Sequence, residues 1–559
     1  MSTSPRRRTA SVDQVIALRM PGLARVVWTE SVLAFAALGA VSLGTSLTVV
    51  ISGAAVVAVL PFVAVAGRGV FDWLWTVGRY ATGRTPELGV VTDRTEADGR
   101  SFGVHWHAGR VTSVLELLPP RGAVTRLGRS EAHTESFVDL AALAECLRQH
   151  DISLSGIDVV AHGTRTASGS PAADVYEHLI GPLPAVASRR VWVAVSLDIA
   201  SNRRAIDARG GGRTGVARTV GIATERVARA LAAGGTASRT LTGTDITTLA
   251  STLLRGVHAD ELTENWSSAP LPGVSNTGFG FDCRRVDSAV LADVWATPSL
   301  GTTVALRLTP GSSPGLVRVD GECRFLSRGT RPAPRIPGVV PMNGRHREAL
   351  STSLPLGIAA PGHAEPVREM AVARIATLRI PISGCGQLLG SDASGHGLAM
   401  RLHGPDLATV LIAGELYLAQ QLVFRAVATG ARVLIRTDRA NAWAPLIDSV
   451  ASPDRLHVES GTLRTDTRFD VVLHDHADAV FPSGRRSDGA TTIILTEHLP
   501  RTPMPDPDLS IVQPGAAGDR LFVRTGTSET ELILVTISQE TAFIGRPRTV
   551  RPTPVDQPG

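Results

Sequence analysis

Across residues 31–67 the chain carries no charged side chain, and that property limits the folds open to it more than any other. A single helical crossing of a bilayer takes about 20 apolar residues, and this run is nearly twice as long. Its centre, "SLGTS" at residues 42–46, supplies small polar residues that can turn a chain at a membrane interface. Two spans are therefore expected, near residues 26–43 and 47–66, the first taking Val26, Val27 and Trp28 from the flank and keeping Glu30 near the interface. A secretory leader has an apolar region of roughly 7–15 residues, so "AVAG" at residues 64–67 is not read as a cleavage site. Gly39, Gly44, Ser52, Gly53 and Ala54 are small enough to let helices approach closely. Arg6, Arg7, Arg8, Arg19 and Arg25 precede the hairpin and Arg68, Arg79 and Arg84 follow it. Basic residues are retained on the cytoplasmic side, so both termini are expected there, at an inner membrane crossed twice. Trp28, Trp73 and Trp75, with Arg25 and Arg68, sit where interfacial anchors belong.

The full 559 residues exceed one ordinary core and suggest two or three units. Aromatics make up only 4% of the chain, which leaves few platforms for stacking single-stranded bases. A net charge of +5 is mild when 51 acidic residues are interspersed with 56 basic ones, so no nucleic-acid partner is expected. All the basic residues are arginine; the chain holds no lysine, which rules out a P-loop lysine or a Schiff base. Cys146, Cys283, Cys323 and Cys385 lie far apart, a pattern of free thiols rather than a disulfide framework or zinc site.

From residue 87 the pattern becomes globular. "FGVHWHAGRVTSVLEL" at 102–117 alternates on either side of Ala108 and Gly109, a β-hairpin signal. Helices are expected near 135–149, 172–179, 216–233 and 245–254, with strands between them and a hairpin over 303–325. Residues 326–373, rich in Pro, Arg and Gly, read as a linker. Beyond it, "TVLIAGELYLAQQLVFRAVATGARVLIRT" at 409–437 reads strand, glycine, helix, strand. Strand and helix then alternate to residue 459, further strands are expected at 470–474, 491–496, 520–523 and 531–537, and the Pro-rich tail 545–559 reads as disordered. The expected fold class is α/β. A basic N-terminus (1–25) and a two-helix transmembrane hairpin (26–66) precede a cytosolic first α/β region (87–325), the linker (326–373) and a second α/β domain (374–544). That domain is read as a mostly parallel three-layer sheet.

The strand–glycine–helix stretch looks like a nucleotide site without its phosphate grip, because Gly414 is followed by Glu415, whose charge repels phosphate. His105 and His107 share one side of a strand, but no third metal ligand is placed and exposed histidines are expected. His474, Asp475, His476 and Asp478 cluster at a strand's carboxyl end, where open α/β sheets bind ligands. Loop-capping carboxylates and solvated imidazoles are the expected reading of that cluster; a membrane-anchored transferase using a divalent metal near Asp475 and Asp478 is the alternative. "RGGGRTG" at 209–215 matches glycine-rich spacing, with Arg209, Arg213 and Arg218 nearby, but no strand leads directly into it, so a flexible loop is expected. "GSSPG" around Ser313 is read as a turn, because Pro314 stands where a nucleophile elbow enters its helix. No catalytic, cofactor or metal constellation is complete.

Taken together, the basic N-terminus, the two-span hairpin, the 102–117 hairpin and the block 409–443 resemble EccE, a membrane component of the actinobacterial type VII (ESX) secretion system. Gly414, Ala419, Gln420, Arg425, Ala426, Gly430, Ala431, Thr437, Arg439 and Trp443 carry the most specific part of that resemblance. The likeness implies a non-catalytic subunit at the periphery of an inner-membrane complex with EccB, EccC and EccD, where EccC is the ATPase. It also implies contact with the lipid bilayer, no cofactor and no small-molecule substrate. A reporter fused at Thr45 is expected to be active outside the inner membrane and one at the C-terminus inside it, as measured by paired periplasmic and cytoplasmic reporter enzymes. The reverse pattern would overturn the hairpin.

Overall fold

The computed structural model describes residues 16–18, 31, 48, 52, 63–65, 68–82, 87–95, 99–120, 122–128, 132–134, 136–167, 169–181, 183–329, 334–359, 368–404, 407–459, 468–475, 489–499, 506–526, 528–545 and 548. The hairpin expected at 26–66 lies almost wholly outside them. Ser31, Thr48 and Ser52 are helical, whereas Val63–Val65, at the end of the second expected span, is extended. It pairs antiparallel with Ile16–Leu18 and Arg68–Gly69, and β-branched valines suit that pleated conformation. Among the described residues no helix is long and apolar enough to cross a membrane. The described part is a mixed α/β molecule built on two large sheets.

The first sheet is antiparallel throughout. Its central strands are Ile152–Thr164, Ser188–Asp198 and Gly301–Pro310, extended by Leu316–Ser327 and Val274–Phe281 on one side. Arg110–Leu117, Ser101–His107 and Val90–Thr95 extend it on the other. The hairpin expected at 102–117 is present, with Ala108 (φ 46°) and Gly109 (φ 75°) making its turn, as the tight turns of twisted hairpins require. Strands here are buried almost continuously because both faces are covered. Helix Gly212–Ala233 and residues 286–295 close one face, with Val159, Val193 and Leu306. Helix Gly243–Leu253 and residues 350–358 close the other, with Val160, Trp192 and Ala305.

Residues 326–373, read as a linker, are largely part of this unit. Val339–Pro341 pairs with Val274–Phe281, Arg368–Ala371 pairs with Leu316–Ser327, and helix His346–Thr352 is buried. Proline and glycine there make turns between short elements rather than a free tether. The helix expected over 135–149 is shorter, Leu140–Glu145. Asp139 caps it by accepting the Ala142 N–H, and the chain reverses at His150 (φ 38°) into a strand pair with 152–153.

The second sheet runs parallel through Leu456–Glu459, Val433–Thr437, Val471–Asp475, Thr491–Thr496, Thr409–Ala413 and Leu509–Val512. It continues antiparallel through Arg520–Thr525, Ser528–Leu534, Gln387–Ser391 and Gly397–Met400. Its last strands, Val124–Leu127 and Ala132–His133, come from the first region. Only half of the strands are thus parallel. Leu411, Leu434 and Ile494 are buried on one face of this sheet, and the larger core grows from the opposite face. Val410, Ile412, Val433, Ile435, Val471 and Leu473 pack there with helices Pro171–Ile180, Leu416–Ala428, Ala440–Val450 and Ser538–Ile544. Helix Pro171–Ile180 also crosses from the first region, and its Tyr176 hydroxyl accepts the Leu388 N–H at 2.8 Å.

Across the first sheet, Arg190, His162, Thr303 and Arg324 stand side by side in register. Burial, reinforced by the Arg324 and Arg190 charges, pushes the His162 pKa down to about 3. The unfolded chain takes up that proton near the ordinary pKa of about 6.5 and the folded chain does not. The contribution is therefore present above pH 6.5 and lost as pH falls towards 3, at about 1.4 kcal/mol per pH unit. Denaturant midpoints measured across this window are expected to show a shallower acid loss for His162→Gln than for the wild type. Parallel curves would contradict the assignment.

Candidate functional site

The strand–glycine–helix of the second sheet is the natural place to look for chemistry. Strand Thr409–Ala413 ends at Gly414, and helix Leu416–Ala428 begins two residues later. Where a phosphate would sit on the helix N-terminus, the chain has placed its own side chains. The Gln513 Oε1 accepts the Glu415 N–H at 2.9 Å, and its Nε2 donates to Glu415 Oε1 at 3.0 Å. Glu415 is buried, and its Oε2 accepts the Arg548 N–H at 2.9 Å. Arg548 itself lies in the stretch expected to be a disordered tail, yet it is bonded here and to Glu497 at 2.7 Å. A Cβ on Gly414 would come within 2.8 Å of Gln513 Oε1. The glycine is needed for this amide, not for a nucleotide.

Behind the loop, every residue from Tyr417 to Ala428 is buried, because sheet and neighbouring helices surround the helix. Three of its polar side chains, Gln420, Gln421 and Arg425, are bonded within the fold. Gln420 Nε2 donates to the Ala442 carbonyl at 2.7 Å, and Gln421 Nε2 donates to Glu540 Oε2 at 2.9 Å. Arg425 is 0% exposed and Glu540 1%, and they form a two-pronged pair, Nε to Oε1 at 2.7 Å and Nη2 to Oε2 at 2.8 Å. The remaining Arg425 donors reach the Leu388 carbonyl at 2.7 Å and the Val535 carbonyl. One guanidinium thus ties three separated segments to the helix.

Asp475 is the second centre. Its Oδ2 accepts the Thr437 hydroxyl at 2.9 Å and the Trp443 indole N–H at 2.8 Å. Arg439 donates Nη2 to Oδ1 at 2.6 Å and Nε to Oδ2 at 3.0 Å. The Asp475 side chain raises the Arg439 pKa above its ordinary value by that hydrogen bond. With both oxygens engaged by protein donors, Asp475 is a structural acceptor. His476 and Asp478 lie outside the described residues, and no group of three His, Cys, Asp or Glu able to hold a metal occurs among the described residues. The transferase alternative therefore finds no support.

The other sequence candidates take structural positions. His105 is buried rather than exposed; its Nε2 bonds the Leu88 carbonyl, and burial lowers its pKa. The His107 ring stacks on it with centroids 6.2 Å apart. The glycine run begins helix Gly212–Ala233 earlier than expected, with Gly210, Gly211 and Gly212 all at positive φ. Arg209 pairs with Asp151 at 2.7 Å, and Arg213 lies over the Trp106 ring. Ser313 sits in the turn between strands Gly301–Pro310 and Leu316–Ser327. Burial pushes the Cys146 thiol up, the Cys323 thiol well up, and the Cys385 thiol to about 11, so none is a thiolate at neutral pH.

Of the expected membrane anchors, Trp28 and Arg25 lie outside the described residues. Arg68 is in the strand Arg68–Gly69, and Trp75 and Trp73 are in helix Val70–Thr82. Trp73 stacks on Trp266 of the first unit, with ring centroids 5.8 Å apart.

Comparison with known proteins bears on this arrangement. Residues 185–281 match the family described as "Putative type VII ESX secretion system translocon, EccE". The chain is an EccE relative. It is 25% identical over 502 residues to the ESX-2 secretion system protein EccE2 of Mycobacterium tuberculosis, covering 88% of this chain and 86% of that one. Over 305 residues it is 27% identical to the ESX-5 secretion system protein EccE5 of Mycobacterium marinum, covering 52% and 73% respectively. It is 25% identical over 379 residues to the ESX-1 secretion system protein EccE1 of Mycolicibacterium smegmatis, covering 66% and 71%. The EccE family match falls on the central strand Ser188–Asp198 and the helices that follow it, not on the block 409–443. Within that block, Gly414, Arg425, Thr437, Arg439 and Trp443 serve the three polar clusters just described, around Glu415, Glu540 and Asp475, and Gln420 bonds the Ala442 carbonyl.

Sequence reasoning missed Gln513, Glu540 and Arg548, the partners that complete these centres. A local signal existed only for Glu540, where "SQETAFI" reads as a short helix with an apolar face. Arg425→Met is expected to destabilise the protein by roughly 3–5 kcal/mol, because it strands a buried carboxylate. Arg425→Met with Glu540→Met is expected to cost less than Arg425→Met alone. Denaturant unfolding of the three variants checks this, and additive losses would contradict the coupling.

Proposed function

We propose that this chain is a non-catalytic structural subunit of the inner-membrane type VII (ESX) secretion complex, supporting protein export with EccB, EccC and EccD. The relatives named as ESX secretion system proteins support the assignment to that system. The self-filled helix N-terminus at Glu415, Gln513 and Arg548 supports the non-catalytic part, since the nucleotide-like loop at Gly414 is closed by the chain itself. On this reading the charge-free run 31–67 forms a two-pass hairpin with both termini in the cytoplasm, and Trp28, Trp73, Trp75, Arg25 and Arg68 lie near the inner interface. The two sheets then form a cytoplasmic body whose surface meets partner subunits. Purification of the tagged full chain from its native membrane in mild detergent, followed by mass spectrometry, is expected to recover a large assembly with an ATPase and a multi-span subunit. Recovery of the chain alone would overturn the proposal.

A further inference from the structure

Helix Val70–Thr82 has one face fixed and another uncovered. On the fixed side Thr76 is 2% exposed, Trp73 stacks on Trp266, and Tyr80 meets the same ring edge-on at 5.5 Å. Arg79 pairs with Glu348 at 3.2 Å. These contacts set the rotation of the helix on the first unit. The opposite stripe is Leu74, Val77, Gly78 and Ala81, the spacing of one helical face. Every member is apolar and exposed, Leu74 at 63% and Val77 at 49%. They are two of the few large apolar side chains the described residues leave in solvent, and they stand together.

What covers this stripe follows from where the helix begins. The charge-free run ends at Gly67, and Arg68–Gly69 leads directly into the helix at Val70. Two extended residues and one helical turn separate that run from Leu74, a reach on the order of 15 Å. If the run lies in a bilayer, the stripe is held at its surface. An amphipathic helix in that position buries its apolar face at the headgroup boundary. Arg68, at the boundary between the run and the helix, suits an anionic leaflet.

We infer that the Leu74–Val77–Ala81 face of helix Val70–Thr82 lies in the headgroup layer of the cytoplasmic leaflet and fixes the orientation of the first sheet on the membrane. This rests on the membrane-hairpin reading given under the proposed function. Trp73, an expected lipid anchor, instead joins the helix to the body, and the smaller apolar residues beside it meet lipid.

Leu74→p-benzoylphenylalanine in the full chain, irradiated in native membranes, tests the inference; the same residue replacing Ile533, an exposed position on the second sheet, is the control. Trypsin releases residues 69–79 for mass spectrometry. Phospholipid adducts are expected on that peptide and not at position 533. A protein adduct at position 74, or no adduct, in a chain that still resists carbonate extraction would overturn the lipid contact and leave the hairpin standing. A chain that carbonate extracts, with no lipid adduct, would overturn both.

Discussion

The second sheet depends on a charge that has no access to water. Arg425 stands in the last turn of a helix enclosed on every side, and an unpaired guanidinium there would be severely destabilising. The chain resolves this by bringing Glu540 from near its C-terminus, over a hundred residues away, together with backbone carbonyls of Leu388 and Val535. Helix Leu416–Ala428, strand Gln387–Ser391 and helix Ser538–Ile544 can therefore assemble only as a set. Buried pairs of this kind add little net stability compared with apolar residues of the same shape. What this pair supplies is a requirement that distant segments meet in one arrangement.

The same logic extends across the molecule. Strand Val124–Leu127 completes the second sheet, and helix Pro171–Ile180 covers it, although both emerge from the first region. The Ala167 N–H donates to the Ala428 carbonyl at 2.8 Å, so the end of the enclosed helix is held by the first region too. Such interlocking is what a scaffold needs, because a partner pressing on one sheet meets resistance from the other.

Much of the local structure was legible in the sequence. Helix 416–428 and the strands around it follow from apolar runs punctuated by glycine, and the hairpin turn from Ala108 and Gly109. Long-range pairing was not legible. Nothing in "VTRL" at 124–127 marks it for the second sheet rather than the first, and strand register is a tertiary property. The linker reading failed because proline and glycine signal turns without saying whether the elements between them are covered. The empty phosphate grip was readable from Glu415 and the absence of lysine. Its replacement by Gln513 was not, since a glutamine nearly a hundred residues away carries no local signature. The charge-free run 31–67 remains the strongest sequence signal for a membrane, and it falls almost entirely outside the described residues.

On this account the residues that resemble chemistry, Glu415, Asp475 and Arg439, hold the fold together, and the proposed role in secretion comes from the assembled surface. The most direct test is secretion per assembled complex in cells whose sole copy of the chain carries Glu415→Gln, Asp475→Asn or Arg425→Met. The account expects complex abundance and export to fall together, so that export per complex stays at the wild-type value for every variant. A variant that assembles at the wild-type level while export is lost would contradict it, and would place chemistry at the carboxyl edge of the second sheet.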